Sequence, residues 1–172
     1  MHERPRVEKK EPTVFELKPF NKLTPGQELA LASFLPSIKR EVTHPRIRSP
    51  QVTVALLADG IPIGAISYAP NFQTITRLAV NTKNPRAKEF HKFAGYSASE
   101  ELIRHAVKGF RGYIFSSLVP ISQVKKRWIR RTASRLGLKP TLEFFESTPI
   151  FMHFKIPRGS KAGLKPKLSL KK

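Results

Sequence analysis

Ile75-Thr76-Arg77-Leu78-Ala79-Val80, a polar stretch, and then Lys92-Phe93-Ala94-Gly95-Tyr96-Ser97 ahead of an amphipathic run form the part of the chain whose reading decides the fold. The first segment reads as a strand and the last as a loop with a glycine at the mouth of a helix. A strand leading through a loop into a helix start gathers backbone N–H groups and the positive end of a helix dipole at one point, which suits a phosphate. Gly95 would let the main chain approach such an anion closely, and Lys92, with Lys83, Arg86 and Lys88 upstream, would add mobile positive charge. The alternative is that Gly95 only eases a turn and the lysines form a solvated face.

Upstream of that segment, Val14 to Leu17 reads as a short strand, and Thr24-Pro25-Gly26-Gln27 supplies a cap and an early proline for a helix from about Gln27 to Phe34. Gln51 to Leu57 and Ile61 to Tyr68, joined by Ala58-Asp59-Gly60, form a hairpin by spacing and turn chemistry. Thr74 to Val80 follows as the next strand, and a polar loop leads from it to Lys92–Ser97, which opens a helix. In the helix expected over residues 96 to 108, Ala98, Leu102, Ile103, Ala106 and Val107 share one face, with Glu100, Glu101, Arg104 and His105 toward the other. Tyr113 to Val119 reads as a strand, Ser122 to Leu136 as a helix ended by Gly137, and Thr141 to Phe145 and Ile150 to Phe154 as two closing strands. The order is mixed α/β, a meander followed by helical crossovers.

Charge divides the chain of 172 residues into three parts. Residues 1–12 form an arm of mixed charge, residues 13–154 a folded body, and residues 155–172 a tail with seven Lys or Arg and no acid. Such a tail is expected to order only on a partner or a neighbouring surface. Hydrophobic residues make up 40% of the chain, enough for one packed domain. With 32 Lys plus Arg against 12 Asp plus Glu, the formal charge is +20, and polyanions, nucleic acid above all, are the expected partners. The absence of cysteine excludes disulfides, thiolate metal sites and thiol nucleophiles; the histidines at 2, 44, 91, 105 and 153 have no metal-ligand spacing, so no metal is expected. No apolar run is long enough to span a bilayer and the N-terminus is too polar for a secretory signal, so a cytoplasmic location is expected, or a virion if the source is viral.

From about Val14 to Phe154 the chain resembles the GCN5-related N-acetyltransferase (GNAT) superfamily. The likeness rests on element order, the Gly60-to-Gly64 hairpin, the Leu78-Ala79-Val80 strand, and Lys92-x-x-Gly95-x-Ser97 in place of the family's Arg/Gln-x-x-Gly-x-Gly/Ala. Arg135-Leu136-Gly137-Leu138-Lys139-Pro140 is similar to the Leu-Gly-Phe-Lys-Pro ending of the family's fourth helix. The resemblance implies a mixed, centrally splayed sheet flanked by helices. It also implies acetyl-CoA or another acyl-CoA as donor, its pyrophosphate on the amides of Lys92, Phe93, Ala94, Gly95, Tyr96 and Ser97 and its pantetheine arm along Leu78, Ala79 and Val80.

The same resemblance locates a departure. The family's tyrosine, which protonates the departing thiolate, stands four residues before the glycine, where this chain has Ala133. Ser134 and Thr132 are the adjacent hydroxyls, Ser134 being the candidate acid. Acyl transfer to an amine also needs a base. Glu143 is the candidate, with Glu146, Glu41, His44 and Asp59 as further titratable groups and surface or salt-bridge roles as the alternative for each. Arg77, in an otherwise apolar strand, must either pair with a carboxylate of the chain or face an anionic ligand.

Lys125, Lys126, Arg127, Arg130, Arg131 and Arg135 crowd one helical stretch without an acid from 125 to 139, with Trp128, Ile129, Ala133 and Leu136 as its apolar side. Phosphate-backbone binding is the natural reading, positioning nucleic acid without reading its sequence. Three functions are consistent with these features. One is an acyltransferase acting on nucleic acid or a nucleic-acid-bound acceptor. The second is a non-catalytic component of a virion or ribonucleoprotein particle, assembled through the basic tail. The third is an ordinary small-molecule or protein N-acetyltransferase. Within the first, Thr76-Arg77-Leu78 and His44-Pro45-Arg46 bear a loose similarity to phage proteins that modify adenine in DNA.

Overall fold

The computed structural model describes residues 11–35, 51–110, 113–117, 131–140, 151–155 and 165–170. Strand β1 (Phe15–Pro19) is followed by helix α1 (Pro25–Phe34), then β2 (Val52–Ala58), β3 (Ile61–Ala69), β4 (Thr74–Val80), α2 (Pro85–Ala94), α3 (Ala98–Val107), β5 (Tyr113–Ser117), a helical stretch at 131–135, β6 (Lys139–Pro140) and β7 (Phe151–Lys155). Among the described residues these strands form one sheet in the order β1-β2-β3-β4-β5-β7-β6. Strands β1 to β4 are an antiparallel meander, β4 and β5 are parallel, and β5, β7 and β6 continue antiparallel. This is the mixed, helix-flanked sheet expected from the sequence.

Alternation along the meander gives the sheet two buried faces. Val54, Leu56 and Ile66 face α3 and meet Phe90, Leu102 and Val107, whereas Ala55, Leu57 and Ala65 face α1 and meet Leu31. Gly64 is where α3 comes closest: a Cβ there would lie 3.1 Å from both Leu102 Cδ1 and Val80 Cγ2 and 3.2 Å from the Ala79 carbonyl oxygen. Helix α1 starts on a capping box, Thr24 Oγ1 accepting the Gln27 amide while Gln27 Oε1 accepts the Thr24 amide.

Two corrections to the sequence reading follow. The segment expected as loop before Gly95 contains helix α2, which begins at the Asn84 cap with Pro85 at its first position and ends at Gly95, whose φ of 80° is left-handed. Its apolar side is narrow, Phe90 being its buried residue, so hydrophobic periodicity is faint while the cap signals are plain. Second, Glu100 and Glu101 do not face solvent: they are 1% and 0% exposed. Only the Lys139–Pro140 strand is described near the expected Thr141 to Phe145 strand, which itself lies outside the described residues, as does most of the Ser122 to Leu136 helix. Residues 165–170 of the tail lie on the domain itself, Leu170 bridging Leu17 of β1 in parallel.

Candidate functional site

Among the described residues, strands β4 and β5 pair at Thr74 with Phe115 and Ile75 with Ser116. Beyond Ile75, β4 continues through Arg77, Leu78, Ala79 and Val80, held on its other side by β3. Among the described residues, therefore, the β5-facing edge of Arg77–Val80 has no strand partner, which is the central splay. A bulge sets the direction of this segment. Ser67 pairs with Arg77 and Tyr68 with Ile75, so Thr76 is the extra residue, its hydroxyl donating to the Ser67 carbonyl oxygen and to Gln51 Oε1, each at 3.1 Å. After the bulge Leu78 and Val80 pack toward the α3 side and Ala79 toward the α1 side. Arg77, two residues before Ala79 on the same face, is half-buried, and burial pulls its guanidinium below the ordinary value.

The loop expected to cradle a pyrophosphate is the α2–α3 junction. The Gly95 amide donates to the His91 carbonyl oxygen at 2.9 Å. The Ser97 amide donates to Glu100 Oε2 at 3.0 Å, and the Glu100 amide to Ser97 Oγ at 3.2 Å, closing a capping box. The β5-facing backbone edge of Leu78–Val80, where the resemblance implies an acyl arm, has no strand partner among the described residues. A pyrophosphate does not fit the junction as built, because amides of Gly95, Ser97 and Glu100 are already used and the Glu100 carboxylate stands at the helix start. Among the described residues Glu100 Oε1 is buried without a hydrogen-bond partner, while Oε2 lies 3.7 Å from Arg135 Nη1.

Glu101 is satisfied differently. Its Oε2 accepts the Tyr96 hydroxyl at 2.6 Å and the Lys167 amide at 2.9 Å, and its Oε1 accepts the Leu168 amide at 2.7 Å. Burial, followed by the hydrogen bond to Glu101 and its charge, pushes the Tyr96 hydroxyl far above its ordinary value, against the pull of the Lys167 amide and Arg104. The phenol therefore stays protonated and donates. Arg104 covers the other side, its guanidinium 4.3 Å from the Tyr96 ring centre.

Of the remaining sequence candidates, Ala133 is buried in the core, while Ser134 beside it is exposed. Arg131 and Arg135 are exposed on the 131–135 helical stretch; Lys125, Lys126, Arg127, Arg130 and Glu143 lie outside the described residues, as do Glu41, His44 and Glu146. Asp59, at φ 49° in the β2–β3 turn, accepts the Val14 amide at 2.8 Å and pairs with Arg86 at 2.9 Å, which occupies it structurally. Among the described residues no His, Asp or Glu cluster could hold a metal ion, and no helix is long and apolar enough to cross a membrane.

Lys92 and Phe93 are carried by α2 toward β1 instead of toward the β4 edge. With Glu89 they line a cavity of about 280 Å³ whose other wall is Thr13 and Phe15. The sequence signal for it was the pair Phe90 and Phe93 at helical spacing, Phe90 buried and Phe93 46% exposed.

No protein-family model matches the chain, and no curated protein matches it. Among solved structures the chain is similar to a candidate acetyltransferase at 16% identity and a TM-score of 0.45, covering 95% of this chain and 94% of that one. A candidate GNAT-family acetyltransferase from Desulfovibrio desulfuricans is similar at 12% identity and a TM-score of 0.46, covering 84% and 98%. A cAMP-binding acyltransferase from Mycobacterium smegmatis is similar at 13% identity and a TM-score of 0.40, over 83% of this chain and 44% of that one. The architecture stated here rests on the strand pairing itself.

Proposed function

We propose that this chain is an acyl-CoA-dependent acyltransferase, acetyl-CoA being the first donor to test, acting on nucleic acid or an acceptor bound to it. The observation that carries the reading is the pairing of β4 with β5, which among the described residues stops at Ile75 with Ser116 and gives the backbone of Arg77–Val80 no described partner on that side. A backbone edge inside a sheet, flanked by Leu78 and Val80, can exchange hydrogen bonds with an extended amide-bearing arm as a neighbouring strand would. Acetyl-CoA supplies an acyl group activated as a thioester.

The chain's contribution is to hold that arm on β4 and to exclude water with the α3-side apolar residues. Ser134 is the exposed hydroxyl beside the buried Ala133 and is the proposed proton donor to the leaving thiolate. Glu143 is the proposed base, receiving a proton from the attacking amine. Arg77, on the α1 face of β4, would orient an anionic part of the substrate. The acceptor class rests on the charge of +20 and on the acid-free stretch from 125 to 139. A phage-type nucleobase acceptor is one form of this reading, supported by the Thr76-Arg77-Leu78 likeness.

The experiment is acetyl transfer from labelled acetyl-CoA to pooled tRNA, single-stranded DNA and basic protein by the nuclease-treated protein. Label in a nucleic-acid fraction, lost on Ser134→Ala or reduced strongly, is expected. Label in none of the pools from a folded protein overturns the reading and favours a nucleic-acid-binding component without chemistry.

A further inference from the structure

The cavity between β1 and α2 lies apart from the open β4 edge. Strand β1 is the far edge of the meander, three strand spacings from β4, or roughly 14 Å. One wall of the cavity is aromatic: the rings of Phe15 and Phe93 are 5.2 Å apart and tilted by 35°, and the ring of Phe93 is almost half exposed. Phe90, buried and edge-on to Phe15 at 5.1 Å, fixes that ring from behind.

Charges of both signs border this platform, the lysines on its outer side. Lys92 lines the cavity, Lys88 stands one helical turn before it, and both are exposed. The docked tail brings Lys167, whose Nζ lies over the Phe93 ring, 5.8 Å from its centre, and would swing aside to a flanking phosphate when a base stacks there. The acid that lines the inner wall is already engaged: Glu89 accepts Thr13 Oγ1 at 2.6 Å and pairs with Arg86 at 2.9 Å. Glu11 at the rim is exposed and can accept from an exocyclic amine.

We infer that this cavity takes one base of a single-stranded nucleic acid, stacked on Phe93, with the flanking phosphates held by Lys92 and Lys167. An exposed aromatic ring between lysines is what a base and its two phosphates require: a π face for the ring and point charges at either side. An acidic peptide would use the lysines and leave the ring without a matching group. Stacking of this kind tolerates any base. The inference rests on the nucleic-acid half of the reading above and is independent of acyl transfer.

The test uses the full, nuclease-treated chain and a short single-stranded oligonucleotide with one 2-aminopurine, followed by fluorescence quenching at low and physiological salt. The wild type should bind and quench. Phe93→Ala should weaken the quenching interaction by about 5- to 100-fold without changing the salt dependence, and Phe93→Trp should retain it. Lys92→Gln with Lys167→Gln should lower the salt slope by roughly one to two counterions while keeping residual quenching. Unchanged quenching in Phe93→Ala, with an unaltered thermal melt, overturns the cavity assignment and leaves the wider nucleic-acid reading intact. Absence of any binding by the wild type overturns both. Displacement of the oligonucleotide by CoA alone, or by poly-glutamate as readily as by unlabelled oligonucleotide, assigns the cavity to another ligand and also overturns the inference.

Discussion

Glu101 and Leu168, 67 residues apart in sequence, are joined at 2.7 Å, the carboxylate oxygen of the first accepting the backbone amide of the second. The other oxygen of the same fully buried carboxylate takes the Lys167 amide and the Tyr96 hydroxyl. A carboxylate that would be costly to bury is thereby given three donors, and a basic tail that could not collapse alone is given an anchor. Leu168 and Leu170 add apolar contact to the core.

Glu101→Leu should therefore release the tail. The amides of Lys167 and Leu168 would lose their acceptor, and the loss of charged hydrogen bonds should cost about 2–3 kcal/mol. Trypsin cleavage after Lys167 should become several-fold faster than in the wild type, read by mass spectrometry before the body is cut. Equal cleavage rates would mean that the tail is held by its leucines alone.

Gly64 sits under α3 with no space for a methyl group. A Cβ at 3.1 Å from Leu102 and Val80 and 3.2 Å from a backbone oxygen requires α3 and β4 to separate. Gly64→Ala is expected to destabilise the protein by about 1–3 kcal/mol in chemical denaturation. Because the displaced groups border Arg77–Val80, where an acyl-CoA arm is proposed to lie, acyl-CoA binding should weaken as well. A variant as stable as the wild type would show that this contact relaxes freely.

His105 gives the pH dependence. Burial first, then the charge of Lys108, lowers its folded-state value below the ordinary 6.5, against an opposing pull from Glu101. The unfolded chain thus binds the proton more readily than the folded one. The stability from the neutral ring is fully present above pH 6.5 and is lost as pH falls from there toward the lowered folded value. Thermal melts of the wild type should decline across that interval, and His105→Phe, which keeps an aromatic ring 6.3 Å from Tyr68, should decline less. Parallel declines would assign the acid sensitivity to other groups.

Glu100 stands where the resemblance implies a pyrophosphate. Its Oε2 holds the Ser97 amide, and its Oε1 is buried without a hydrogen-bond partner among the described residues. Glu100→Ala removes a buried charge and frees that amide, at a capping cost of about 1 kcal/mol. If the pyrophosphate goes to the start of α3, CoA affinity should rise several-fold in calorimetry. Unchanged or weaker binding would place the anion elsewhere.

The hairpin, β4 and α3 were legible because each carries its own punctuation: Ala58-Asp59-Gly60 at the turn, an apolar run from Ile75, and an apolar stripe from Ala98 to Val107. Helix α2 was not, since its charged surface and single buried residue leave little periodicity, and only Asn84-Pro85 and Gly95 mark its ends. The burial of Glu101 was invisible for a different reason. Its amide partners lie 66 and 67 residues downstream in a tail that composition alone reads as unfolded. The cavity at Phe93 was hidden with α2, because an exposed phenylalanine has meaning only once its helix and its neighbour Phe15 are in place.

Under the proposed function, the Arg77–Val80 edge of β4 receives an acyl-CoA. Amide hydrogen exchange of the nuclease-treated protein, with and without saturating acetyl-CoA, tests it most directly. The account predicts new protection within residues 77–80, where β5 provides no partner among the described residues, and little change in β1 or β2. Exchange in residues 77–80 that is the same with and without acetyl-CoA, from a folded protein, would contradict it.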